Sequence, residues 1–248
     1  MLLGNDKGVY FRIYTDLLLI FVFKLNRMLE RFLPYEKELL FFINGHHYPW
    51  LDPIMWILSN TILLIPLAFF LTLLFRDKKD WTRWLPLFFG LAFVFLIGDF
   101  FSSTLIKPTI QRFRPTHYPG IQEQIRIVYD YVGKLYGFLS GHATSSIGFA
   151  TFSALLIRQR GYTWAIYGWA FLVCYSRVYF GVHFISDILA GTLLGLIVGS
   201  LVYLLYSLYV NRVQKSSLES GKKQAINGLI LALFFVLTFV TLRTEGII

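Results

Sequence analysis

Residues 187–209 read DILAGTLLGLIVGSLVYLLYSLY, one carboxylate followed by an apolar run with no further ionisable group. A helix needs roughly 20 predominantly apolar residues to cross a bilayer, and this run is long enough unaided. Four more stretches pass the same test, at about 52–75, 84–106, 139–158 and 162–181, and a C-terminal one follows at about 225–243. A weaker run at 9–25 is interrupted by Arg12 and Asp16, one helical turn apart and able to pair. From Lys24 to Trp50, charged residues are mixed among Leu and Phe, a pattern suited to an amphipathic helix lying on the membrane surface. The expected fold is all-α: a polytopic membrane helix bundle with a core of about six transmembrane helices, an interfacial amphipathic helix and an extra C-terminal span. The chain divides accordingly into residues 1–50 (first span and interfacial helix), 51–209 (core) and 210–248 (basic loop and last span).

Composition agrees. Of 248 residues, 56% are hydrophobic and only 15% charged, against about 25% charged in soluble domains. The net charge of +9 comes from 23 basic and 14 acidic residues. The basic residues divide between short loops and three motifs, so anionic membrane lipids are the expected partners and nucleic acid is not. Cys174 is the only cysteine, which excludes an intrachain disulfide and leaves it a buried bystander. No small-x-small cleavage site follows the first apolar run, so no removable signal peptide is expected. Trp50, Trp56, Trp81 and Trp84 fall near span ends, as an aromatic belt requires.

Loop charges set the orientation. Arg76, Lys78, Lys79 and Arg83 form one basic loop, Arg158 and Arg160 a second, and Arg212, Lys215, Lys222 and Lys223 a third. Alternating spans put all three on one side, which the positive-inside rule makes cytoplasmic. The connection from Lys107 to Phe138 and the junction from Arg177 to His183 then share the opposite face.

Those two segments, with the start of the 139–158 span, hold an unusual concentration of ionisable groups: Lys107-x6-Arg114-Pro115, Ser140-Gly141-His142, and Ser176-Arg177-x5-His183-x3-Asp187. Charge beside a bilayer is costly and reads by default as a working site. Lys107 and Arg114 suit an anion as point charge and planar fork, although snorkelling interface cations would look the same. The N–H groups opening a helix at Ser140 and Gly141 favour a phosphate, and a protonated His142 can act as general acid. An ordinary N-cap at Ser140 and an interface histidine at 142 remain open. His183 and Asp187, four apart, can share one helix face. A carboxylate there fixes the imidazole tautomer and frees the other nitrogen to attack; a purely structural pair is the alternative.

Taken together, the three segments resemble the tripartite signature of the type 2 phosphatidic acid phosphatase family, lipid phosphate phosphatases related to vanadium-dependent haloperoxidases. The first and third match at every specified position, and the second departs only where Leu139 replaces the usual proline. The likeness covers roughly residues 40–209. It implies His183 as nucleophile, Asp187 as its orienting partner and His142 as general acid to the leaving oxygen. Lys107, Arg114, Arg177, Ser140 and Gly141 would hold the phosphoryl oxygens, through a phosphohistidine intermediate. No cofactor or metal is expected, because three cations and a helix start already supply electrophilic charge.

Other residues are less telling. Asp99 and Ser176 are candidate supports behind the first and third motifs. Arg112 and Arg126 are expected to face lipid headgroups or solvent, His117 and Tyr118 to be loop bystanders, and His46, His47 and Asp52 to be interface residues. The expected reaction is hydrolysis of a lipid phosphate monoester or diphosphate, with transfer to another acceptor or membrane transport as alternatives, and vanadate peroxidase chemistry or an inactive lipid-binding relative as further rivals. Phosphatidylglycerol phosphate, phosphatidic acid, undecaprenyl diphosphate and lipid A all offer the same headgroup chemistry. Compact size and short basic loops favour a bacterial inner membrane, with the site facing the periplasm.

Overall fold

The structure is a computed structural model that describes residues 6–46, 48–60 and 81–213. Most of the span expected at 52–75, and the whole of that at 225–243, lie outside the described residues. So do the side chains of Asp99, Trp81 and Trp84. What is described is all-helical: α1 (Asp6–Gly45), α2 (Leu51–Leu58), α3 (Trp81–Phe100), α4 (Lys107–Ile110), α5 (Gly141–Ile157), α6 (Arg160–Tyr179) and α7 (Ile185–Val213). A π-helical turn, Phe101–Ile106, joins α3 to α4. Among the described residues, two helical runs are long and apolar enough to cross a membrane, Leu85–Ile110 and Ile185–Val210.

The core is built around α5, in which every residue but His142 and Leu155 is buried. Its small residues admit close neighbours. Gly191, Gly195 and Gly199 recur at four-residue spacing on α7, so they form one stripe. A Cβ on each would meet the backbone oxygens of Ser140, Thr144 and Gly148 at 2.5, 2.7 and 2.4 Å. Such stripes let helix backbones touch where no water-driven force separates core from lipid. The outer face of α7 carries exposed Leu189, Leu193, Ile197, Leu201 and Leu208, suited to lipid.

One expectation fails at the amino terminus. Instead of a span followed by a separate surface helix, α1 is a single 40-residue helix that carries Pro34 inside it. Leu29, Glu36, Leu40 and Asn44 are buried along one face, so the amphipathic face packs on protein rather than headgroups. Asn44 donates to the carbonyl of Tyr179 at 2.8 Å, and Asn26 donates to that of Ile110 at 3.2 Å. Trp56 packs on protein as well: its ring meets Tyr129, Tyr131 and Phe180 edge-on at 5.4, 5.5 and 5.7 Å.

Candidate active site

Antiparallel packing brings the three motifs to one end of the bundle. α4 opens there at Lys107, α5 starts there after its cap Ser140, Arg177 lies in the last turn of α6, and Asp187 lies in the first turn of α7. The π turn immediately precedes Lys107 and resets the helix phase at that point.

His183 sits in the tight junction between α6 and α7 and is 1% exposed. Gly181 makes the turn with φ +65°, a conformation that L side chains rarely adopt. The turn is closed by Gly181 N–H to the Val178 carbonyl at 2.8 Å and Val182 N–H to that of Arg177 at 3.1 Å. His183 Nδ1 lies 3.4 Å from Asp187 Oδ2, and the same oxygen accepts from the Phe184 N–H at 3.0 Å.

On the other side of the ring, Arg114 Nη1 is 3.3 Å from His183 Nε2. A guanidinium has only donors. Nε2 must therefore be the acceptor, which leaves the ring proton on Nδ1 facing the carboxylate. Burial first, and then the charges of Arg114, Arg177 and Lys107, hold His183 well below its ordinary value of 6.5. It is a neutral imidazole with its basic nitrogen turned toward the cations.

Arg114 is held in place by the backbone. Its Nε donates to the Tyr136 carbonyl at 3.2 Å and its Nη1 to that of Val182 at 3.1 Å. Burial, followed by the nearby charge of Arg177, pushes its pKa down to about 10, which still leaves it protonated at neutral pH. Two buried guanidiniums repel one another, and an anion between them would relieve both. Arg177 is 1% exposed; its Nη1 donates to Ser59 Oγ and its Nη2 to Tyr131 Oη at 2.8 Å. Its Nε–H is buried and has no partner among the described residues, a donor that a phosphoryl oxygen could use.

His142 is only partly buried and lies within electrostatic reach of Arg177, His183, Arg114 and Lys107. His142 and His183 thus both feel the charges of Lys107, Arg114 and Arg177. Ser140 caps α5: its Oγ accepts from the Ala143 N–H at 3.4 Å, and its own N–H donates to the Asp187 carbonyl at 3.1 Å. Gly141 packs so closely that a Cβ would lie 3.0 Å from Ser102 Oγ. Ser176 is turned away, donating to the Val173 carbonyl of its own helix at 2.7 Å. No cluster of metal-binding side chains occurs among the described residues.

Comparison with known proteins now decides the family. Residues 83–210 match the PAP2 superfamily. A lipid A 4'-phosphatase of Porphyromonas gingivalis is 39% identical over 180 residues, 72% of this chain and 75% of that protein. The chain belongs to the PAP2 superfamily. A lipid A 4'-phosphatase of Bacteroides thetaiotaomicron is 29% identical, with 79% of this chain and 87% of that protein covered. The crystal structure of the first transmembrane PAP2 type phosphatidylglycerolphosphate phosphatase from Bacillus subtilis has the same fold, with a TM-score of 0.57 at 22% identity over 81% of this chain and 97% of that one. This PAP2 member is an integral membrane protein.

Two arginines of the PAP2 chain hold carboxylates that the sequence reading did not assign to them, and one of them is buried against expectation. Arg112 faces neither headgroups nor solvent: it is 5% exposed and donates to Asp187 Oδ1 at 2.7 Å, Ser186 Oγ at 2.6 Å and Glu36 Oε2 at 2.6 Å. Arg126, its side chain 24% exposed, bonds both oxygens of Asp52, at 2.7 and 3.1 Å, and the Tyr179 hydroxyl at 3.2 Å. The partners of both arginines are remote in sequence, and no spacing rule announces them. One local signal was available for Arg112. The chain is extended there, bridging Phe113 to Tyr136, and side chains two apart in extended chain share a face. Arg112 and Arg114 both point inward while Phe113 is exposed.

Proposed function

We propose that this chain is an integral-membrane lipid phosphatase that removes a phosphate monoester from lipid A through a phosphohistidine on His183. The observation that carries the chemistry is the ring geometry: Nδ1 on Asp187 at 3.4 Å and Nε2 on Arg114 at 3.3 Å. That arrangement leaves Nε2 as the one basic atom directed at the cations that would hold a phosphoryl group. Nε2 attacks phosphorus and the P–O ester bond breaks, while His142 gives its proton to the departing oxygen. Water then attacks the phosphohistidine, returns a proton to His142 and breaks the P–N bond, releasing phosphate and neutral His183. Lys107, Arg114 and Arg177 offset charge on the equatorial oxygens throughout, with the Ser140 hydroxyl and Gly141 N–H assisting.

The choice of lipid A is supported by the 39% and 29% identical relatives that act on it. Five spans within residues 51–209 and a sixth in the N-terminal unit 1–50, with a further span in 210–248, complete the proposed architecture. The basic loops support a cytoplasmic side opposite the site, hence a periplasmic active site in a bacterial inner membrane, with anionic lipids around the chain.

The test is phosphate release by purified full-length protein from lipid A, phosphatidylglycerol phosphate, phosphatidic acid and undecaprenyl diphosphate, with a chelator present. Fastest release from lipid A, unchanged by chelator, is the expected result. Faster release from another lipid overturns the substrate, and activity that needs added metal overturns the mechanism.

A further inference from the structure

We infer that Glu36 and Arg112 are positioning residues for the reaction, forming with Asp187 a buried relay through which α1 sets the orientation and charge of His183. This rests on the reading of His183 as nucleophile. The contacts run without a gap. Glu36 Oε2 accepts from Arg112 Nη2 at 2.6 Å, Arg112 Nη1 donates to Asp187 Oδ1 at 2.7 Å, and Asp187 Oδ2 faces His183 Nδ1 at 3.4 Å. The side chains of Arg112, Glu36 and Asp187 are 3%, 8% and 0% exposed, so solvent screens none of these contacts strongly. Glu36 is pinned from its other oxygen as well, accepting from the Ser186 N–H at 2.6 Å, and the Arg112 guanidinium lies 4.4 Å over the Phe184 ring. Phe184 and Ser186 both lie between His183 and Asp187 in the chain, so the relay grips the start of α7 from two directions.

Charge counting shows why two carboxylates are needed. Arg112 against Asp187 alone is a neutral pair and presents little net charge to the imidazole. Adding Glu36 leaves one negative charge on the triad. When Nε2 bonds to phosphorus, the ring becomes a cation with its proton on Nδ1, facing that charge. The relay is thus suited to stabilise the phosphohistidine while holding the carboxylate too tightly to take the proton itself. Because Arg112 grips Oδ1, rotation of the Asp187 carboxylate is blocked, and Oδ2 stays on Nδ1.

The experiment uses the full chain in detergent, with phosphate release from lipid A as the rate and orthovanadate inhibition as a separate report on the cation pocket. Rates are expressed per folded molecule. Glu36→Gln should lower kcat at least tenfold while KM and vanadate inhibition change less than threefold. Its acid limb should move to lower pH, since one negative charge is lost near a ring otherwise faced by Arg112, Arg114, Arg177, Lys107, His142 and Asp187. Glu36→Asp should recover most of kcat. Arg112→Lys, which cannot span both carboxylates, should lose kcat comparably, and the double variant with Glu36→Gln should be little worse than either single one. Either single variant with kcat within twofold of the parent, an unmoved acid limb, or multiplicative losses in the double variant would overturn the relay. A parent protein that releases no phosphate from any lipid would instead overturn the function itself.

Discussion

Arg114 Nη1 and His183 Nε2 stand 3.3 Å apart, joining the first motif to the third across 69 residues of chain. This contact fixes which imidazole nitrogen is basic, and it puts the attacking atom beside the cation that would bind the group under attack. Proximity of this kind converts a bimolecular encounter into a nearly unimolecular step.

Arginine at 114 is not exchangeable for lysine. Its Nε and Nη1 hold the Tyr136 and Val182 carbonyls while Nη1 also faces His183. A lysine supplies charge without the planar fork. Arg114→Lys should lower kcat by about 10²-fold, the scale of losing one oriented donor to a developing oxyanion, as read from steady-state phosphate release.

The pH profile follows from the environment of His183. The ring must be neutral to attack, and burial together with Arg114, Arg177 and Lys107 keeps it neutral well below 6.5. On the acid side activity is lost as pH falls through that depressed value, while loss of the His142 proton sets the alkaline side; the acid limb of kcat/KM, which reports the free enzyme, should lie below 6.5. A limb at or above 6.5 would contradict the assignment.

Gly181 is the structural weak point of the site. Its φ of +65° is one strain for any other residue, and its absent Cβ would lie 2.4 Å from Ile125 Cγ2. Gly181→Ala should cost about 1–3 kcal/mol from backbone strain, before the clash is added. The expected outcome is a lower melting temperature in detergent together with reduced kcat, because the same turn carries His183.

How much of this was legible in the sequence depends on the range of the interaction. The helices α5, α6 and α7 follow from apolar length, and the meeting of the three motifs follows from span alternation plus the charges of three loops. These properties are additive along the chain. The continuity of α1 was not legible, because a mixed polar and apolar face looks the same whether it rests on headgroups or on protein. What separates the two is Glu36 meeting Arg112 and Asn44 meeting Tyr179, pairings between residues far apart in sequence. For the same reason the burial of Arg112 is not legible: its two carboxylates come from α1 and α7, far from it and from each other in sequence. Ser59 and Tyr131, which hold Arg177, carry no motif and emerge only from the fold.

The most direct measurement is rapid acid-free quenching of the enzyme during turnover of a phosphate-labelled lipid, followed by mapping of the labelled peptide. An acid-labile, alkali-stable phosphoryl group on His183, absent from His183→Asn protein, is the predicted result. Turnover at the normal rate with the label on another residue, or with His183→Asn retaining activity, would contradict the account.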